Sequence, residues 1–333
     1  MKATLLKASD LIQLPYTPDL SNGGIAYACR WLAGTYAHIG ESPAERLRRC
    51  AGAAAVELAF RRYLSGQAVP FEVRDGTPFS QPEHYRLALG GHRCDIISYL
   101  ITRPKQVLQL LRDPASLLQA PALIPIDQFG ADGHKPDDLV VFAFLVGRVA
   151  AAQADIKVAI AAAQTVHLVH PLPEAWRRPA AWRCIERLAL KSECAGVMPV
   201  EIGGLDAQRD FVTTACDLPS HMRLPVQQEF CSLAYMHAGR LPEARLGLHS
   251  PLRGEAYIIR PHEWTDLWIR GEQILLAGWL THEEFRSKAQ VLNTGMPTFQ
   301  FAHTQTRNLL VPMGALHPLG RLLERVREWE VHT

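Results

Sequence analysis

HYRLALGGHRCDIISYLI, residues 84–101, reads as two short strands joined by Gly90-Gly91. Paired glycines suit a two-residue hairpin turn whose central residues take positive φ. Counting outward from that turn, Leu89 opposes His92, Leu87 opposes Cys94 and Arg86 opposes Asp95. Tyr85 then opposes Ile96, and His84 opposes Ile97. Directly opposed residues share a sheet face. Tyr85, Leu87, Leu89, Cys94 and Ile96 therefore make an apolar face, and His84, Arg86, Asp95 and Ile97 a mixed one. Register alone makes Arg86 the cross-strand neighbour of the one carboxylate, Asp95.

Upstream, ESPAERLRRCAGAAAVELAFRRYLSG (41–66) predicts a long helix. Ser42 can cap it, Pro43 suits its first turn, Glu45 completes an S-x-x-E box and Gly66 can end it. Leu47, Ala51, Ala54, Leu58 and Ala59 recur at helical spacing and should be its buried stripe. Arg46, Arg48, Arg49, Arg61 and Arg62 lie around the rest, either as a solvated face or as phosphate contacts. PFEVRD (70–75) reads as a strand, and PKQVLQLLRDPASLLQ (104–119) as a helix interrupted at Pro114. DDLVVFAFLVG (137–147) is a continuous apolar run, the pattern of a strand buried on both faces. Further on, the sequence predicts a helix around LDAQRDFVTTAC, with Asp206 as its cap. It also predicts strands near EFCSLAYMHA and EAYIIRP, a strand–turn–strand–helix run in TDLWIRGEQILLAGWLTHEEFRSKAQVL with Thr281 capping the helix, and a closing strand and helix in RNLLVPMGAL and HPLGRLLERVREWE. Strands mixed with helices imply an α+β protein with an α/β core. The expected division is a lead-in at 1–42, a lobe at 43–171 and a second mixed α/β lobe at 172–333, with the change of character near the Pro-, Trp- and Arg-rich PLPEAWRRPAAWR.

At 333 residues and 48% hydrophobic content the chain can bury a sizeable core. Its formal net charge of +2 gives no global attraction to nucleic acid, so such a role needs a local basic patch. The seven cysteines, odd in number and without a CxxC, argue against a disulfide framework or a zinc ribbon and fit a reducing cytoplasm. No apolar run approaches transmembrane or signal-peptide length, so no membrane partner is expected.

The order of a helix bearing Glu57, a strand, a hairpin bearing Asp95 and a further helix resembles the core of the PD-(D/E)xK, or restriction-endonuclease-like, nucleases over about residues 43–150. That resemblance implies a mixed sheet flanked by helices. In the family a helix glutamate, a strand aspartate and an acidic-x-lysine converge on Mg²⁺, and lysine and metal together activate water. Glu57 in AVELAF matches the helix glutamate, and Asp95 in RCDIIS the second acidic position. The first acidic position aligns with Arg86, a cation that would repel the metal, and the lysine position holds Ile97. The resemblance therefore implies a vestigial catalytic set and no cofactor, or Mg²⁺ if the centre is active. It also implies a DNA-linked role in a phage-defence or mobile-element system. Arg46, Arg48, Arg49, Arg61, Arg62 and Arg86 are the expected phosphate contacts. Three alternatives stay open: a non-cleaving DNA-binding or scaffolding subunit, an active metal-dependent endonuclease, and a pure assembly factor binding partner proteins. The bland reading of the hairpin is a surface Arg86–Asp95 pair worth under about 1 kcal/mol.

Other candidates are thinner. His167 and His170 would face opposite sides of a strand, which disfavours a shared metal. His92 and Cys94 share a face and could form a nucleophilic dyad, although a half-buried strand thiol is more often structural. Gly203-Gly204 lacks the further glycines of a dinucleotide loop. Trp264, Trp268, Trp279 and Trp329 gather late in the chain, as core or as an interface, and Trp264, Trp268 and Trp279 are the interface candidates.

Overall fold

The computed structural model describes residues 6–31, 43–73, 87–130, 134–150, 152–251, 254, 256–266 and 270–331. It is an α+β protein built on a curled mixed sheet flanked by helices. That sheet joins, in spatial order, β1 (Ile12–Pro15), β16 (Arg270–Thr281), β6 (Leu139–Arg148), β4 (His92–Ile101), β3 (Leu87–Leu89) and β2 (Glu72–Val73). β19 (His317–Pro318) also pairs with β16. All pairings are antiparallel except β4 with β6. The crossover between those two carries α3 (Pro104–Arg112), β5 (Pro121–Pro125) and α4 (Ile126–Phe129).

β6 is the centre. Leu139, Val141, Ala143 and Leu145 enter one apolar cluster and Val140, Phe142, Phe144 and Val146 another. Burial on both faces is why its sequence does not alternate. In β16 the register slips between Leu276 and Gly278, which moves Trp279 onto the face of Ile274 and Leu276. One face of the sheet is covered by α1 (Pro18–Trp31), α2 (Pro43–Gly66) and α8 (Leu319–Val331). The other is covered by α3, by α7 (His282–Lys288) and by a small sheet of β17 (Gln290–Leu292), β18 (Asn308–Pro312) and β5. Thr281 caps α7 as expected: its hydroxyl accepts from the Glu284 backbone N–H at 3.1 Å.

Beyond α1 and α2 lie two further sheets. The first is β10 (Phe211–Leu218), β9 (Met198–Leu205), β12 (Ser232–Ala238), β7 (Leu168–Pro171) and β15 (Thr265–Asp266). The second is β11 (Arg223–Pro225), β8 (Ala189–Ser192), β13 (Leu246–His249) and β14 (Tyr257–Ile259). They pack face to face through Ile202, Leu233, Met236, Leu190, Leu246, Leu248 and Trp264. The short helices α5 (Gln153–Ala161) and α6 (Glu174–Arg177) lead into them. Among the described residues no helix is long and apolar enough to cross a membrane.

The expected boundary at 171/172 does not separate the sheets. β16, from the expected second lobe, lies beside β6, and β7, from the expected first lobe, pairs with β12. The helix expected around LDAQRDFVTTAC is also corrected. Residues 198–218 form the β9–β10 hairpin, and Asp206 accepts from the backbone N–H groups of Gln208 and Asp210, each at 2.9 Å, in its turn. Alternation of Val212, Thr214 and Cys216 with their neighbours along an edge strand outweighed the cap-like Asp.

Candidate functional site

The hairpin forms in the expected register, with Leu89 opposite His92 and Ala88 opposite Arg93. Gly90 and Gly91 take φ of +56° and +78°. Arg86 and the rest of the first hairpin strand before Leu87 lie outside the described residues, as does Ser42. Leu87, Leu89, Cys94 and Ile96 all join the cluster under α2, so the described part of the apolar face is as expected, Tyr85 lying outside the described residues. Ile97 packs on the opposite face, against the cluster of α3 and α7. β4 pairs with β6 without a bulge, so Asp95, between Cys94 and Ile96, shares the face of Ile97.

Glu57 therefore approaches β4 from the other side. It is bonded to Arg61 one turn along α2. Asp95 accepts from Arg93 Nε at 2.9 Å, and its second oxygen is 3.6 Å from His134 Nδ1. His134 stacks on His282, which stacks on Phe129, with ring centroids 4.8 and 3.9 Å apart. Burial holds His134 below the usual imidazole range, with Arg93 and His282 adding to the effect against Asp95 and Asp138. The described residues here are not arranged as Mg²⁺ ligands. A guanidinium occupies one carboxylate oxygen, an imidazole faces the other, and Glu57 is turned to the opposite face. Among the described residues no group of three or more His, Cys, Asp or Glu is arranged to hold a metal. Cys94 is not an activated nucleophile, because burial, then Asp95 and Glu57, push its thiol well above its ordinary pKa. Its supposed partner His92 instead meets Asp137 at 3.1 Å and packs on Trp329 at 4.5 Å between centroids.

The arginines of α2 do not form a phosphate-facing surface. Arg46 is 5% exposed. Arg48 donates from Nη2 to the Asp266 carbonyl at 2.9 Å, and Arg49 is half-buried. Arg61 holds Glu57, and Arg62, though exposed, bonds Asp19 across to α1. The helix is covered by α1 and by sheets on two sides, so it has little solvated face to offer. Trp264 and Trp279 are 3% and 2% exposed and are core, not interface, while Trp268 lies outside the described residues.

Among the described residues, exposed basic side chains stand together on the outer face of the β11-β8-β13-β14 sheet. Arg223, Lys191, Gly247 and Ile258 stand in one row across the four strands. His249 belongs to the next row, beside Ala189. Arg245 sits at the edge and holds Glu193 through Nε at 2.8 Å and Nη2 at 3.3 Å, keeping that carboxyl below its usual pKa. Gly247 contributes no side chain, and a shallow hollow there is lined by Lys191, Glu193, Arg223, Arg245, His249 and Ile258. The signal was present in RLGLH (245–249), whose leucines point inward and whose Arg, Gly and His point outward.

His167 and His170 do face different surroundings. His170 bonds the Glu263 carbonyl and the Tyr257 hydroxyl, at 3.1 and 2.7 Å. His167 lies over His237, 6.2 Å between centroids, and burial followed by that neighbour lowers its pKa to about 4. The folded state thus resists a proton that the unfolded chain takes up near pH 6.5. Stability is full above about pH 7 and drains away as pH falls from 6.5 towards 4. The expected loss by pH 5 is about 1–2 kcal/mol, allowing for partial solvent access. Urea midpoints at pH 7.5 and 5.0 measure it, and His167→Asn should reduce the difference by the His167 share, leaving that of His134, His170 and His237, whose pKa values burial also lowers. Equal slopes for wild type and variant would remove His167 as the cause.

No protein-family model, curated protein or solved structure matches this chain.

Proposed function

We propose that the protein is a non-cleaving, nucleic-acid-binding or scaffolding subunit that meets phosphate through the outer face of the β11-β8-β13-β14 sheet. The observation that carries this reading is the row in which Arg223 and Lys191 stand on adjacent strands, with His249 alongside, Gly247 as an open floor and the Arg245–Glu193 pair at the rim. Adjacent strands lie about 4.8 Å apart, so these cations project from one surface close enough to engage one backbone together. The run α2, β2, β3, β4, α3 and β6, with β6 parallel to β4, supports a nuclease-like origin of that half. The pairing of Asp95 with Arg93, and Ile97 where the family has lysine, support loss of cleavage. Phage defence or a mobile element remains the proposed setting, and the cytoplasm the proposed location.

Fluorescence anisotropy with labelled duplex and single-stranded oligonucleotides tests the reading. Binding should weaken steeply between 50 and 200 mM salt and be insensitive to chelators. Lys191→Glu with Arg223→Glu should lower affinity by about tenfold or more, since two phosphate contacts become repulsions, while Arg62→Glu should leave it within about twofold. Supercoiled plasmid should survive Mg²⁺ or Mn²⁺. Absence of binding at low salt, or a charge reversal without effect, removes this surface. Cleavage lost in Asp95→Ala restores the active-nuclease alternative.

A further inference from the structure

We infer that Cys184 and Cys231 form a site of oxidative modification, a built-in disulfide that closes when the protein meets a hydroperoxide. Their Sγ atoms are 3.3 Å apart, the reduced thiols already in contact. A disulfide needs about 2.05 Å, so the sulfurs must close by little more than an ångström. The pair is fixed by the backbone around it. The Ile185 N–H donates to the Phe230 carbonyl at 2.6 Å, and the Cys231 N–H to the Leu205 carbonyl at 2.7 Å. Trp182 anchors the same strap through its indole N–H to the Ala207 carbonyl at 3.2 Å, with Arg209 over its ring. Neither sulfur has to search for the other.

The two residues are not equivalent. Cys231 is 1% exposed and Cys184 is half-buried. Burial, then the neighbouring thiol, push Cys231 up to about 11, so it makes a poor first target. The peroxide meets Cys184: its sulfur attacks one peroxide oxygen, the O–O bond breaks, water leaves and Cys184 becomes a sulfenic acid. Cys231 sulfur then attacks Cys184 sulfur. The S–O bond breaks, the Cys231 proton leaves with the hydroxide as a second water, and the S–S bond remains. Two thiols are oxidised by two electrons and one peroxide is reduced to two waters.

The bridge would tie the strap leading into β8 to the start of β12, one on each of the two facing sheets. It is compatible with a reducing compartment, because it forms under oxidant and is reversed by thiols.

The experiment uses the full chain, treated with hydrogen peroxide, alkylated without reduction and mapped by mass spectrometry. A peptide joining Cys184 to Cys231, short of two hydrogens and abolished by dithiothreitol, is expected. Cys29, Cys50, Cys94, Cys194 and Cys216 should remain alkylatable after denaturation. Oxidised protein should melt several degrees higher than reduced, and Cys184→Ser should lose both the linked peptide and the shift. Cys184 recovered alkylated, over-oxidised to sulfinic acid, or bridged to another cysteine overturns the inference. The wild-type map decides this even if a serine variant folds poorly.

Discussion

Gly204→Ala is expected to destabilise the protein by at least about 3 kcal/mol, a large share of the stability of an ordinary domain. A Cβ at residue 204 would stand 2.0 Å from the Ser232 carbonyl oxygen, 2.9 Å from its carbon and 3.0 Å from the Leu233 Cα. All three are backbone atoms of β12, so no side chain can swing aside. β9 and β12 would have to part where their register already slips, between Leu233 and Tyr235. Gly247→Ala on the neighbouring sheet is the control. There the new atom meets the end of the Ile258 side chain at 3.3 Å and the Tyr257 carbonyl oxygen at an ordinary 3.9 Å, and the change should cost well under about 1 kcal/mol. Urea unfolding of both variants measures the contrast, and near-equal midpoints would contradict it. Gly203 and Gly204 thus serve close strand approach, with the Tyr235 ring against the first, rather than a phosphate loop.

Trp279→Ala should cost about 3–5 kcal/mol. The indole is 2% exposed, packs among Ile274, Leu276, Leu319 and Leu322, and donates to the Pro318 carbonyl at 3.2 Å. Truncation removes that packing and leaves a cavity between β16 and α8. Trp279→Phe keeps most of the volume but leaves the carbonyl without its donor, and should cost about 1–2 kcal/mol. Thermal melts and urea curves separate the two. An alanine variant within about 1 kcal/mol of wild type would return Trp279 to the surface role its sequence context suggested.

What could be read from the sequence was what local chemistry dictates. The Gly90-Gly91 turn set the hairpin register, the unbroken apolar run of β6 announced burial on both faces, and Thr281 capped α7. Interactions distant in sequence decided the rest. α2 has a clear apolar stripe, but nothing in it reveals that a second sheet covers the opposite side, which turns Arg46 from a candidate phosphate contact into a buried residue. The late tryptophans look alike as letters, and only the bulge in β16 puts Trp279 on the face of Ile274 and Leu276, beneath α8. The basic face is not legible in the sequence because β11 and β8 each contribute one cation and the β13 segment only Arg245 and His249, so no segment is basic by itself.

Because β16 lies between β1 and β6, the central sheet is completed out of order. During synthesis residues 139–148 leave the ribosome long before residues 270–281. Until then β1 has no neighbour and one whole edge of β6 is open to pairing with another chain. Assembly of this layer therefore waits for residues 270–281 and is dominated by long-range closure, which makes it slow. A protease cut or premature stop ahead of residue 270 would leave a fragment with a bare apolar edge, a species prone to aggregate rather than a smaller working domain.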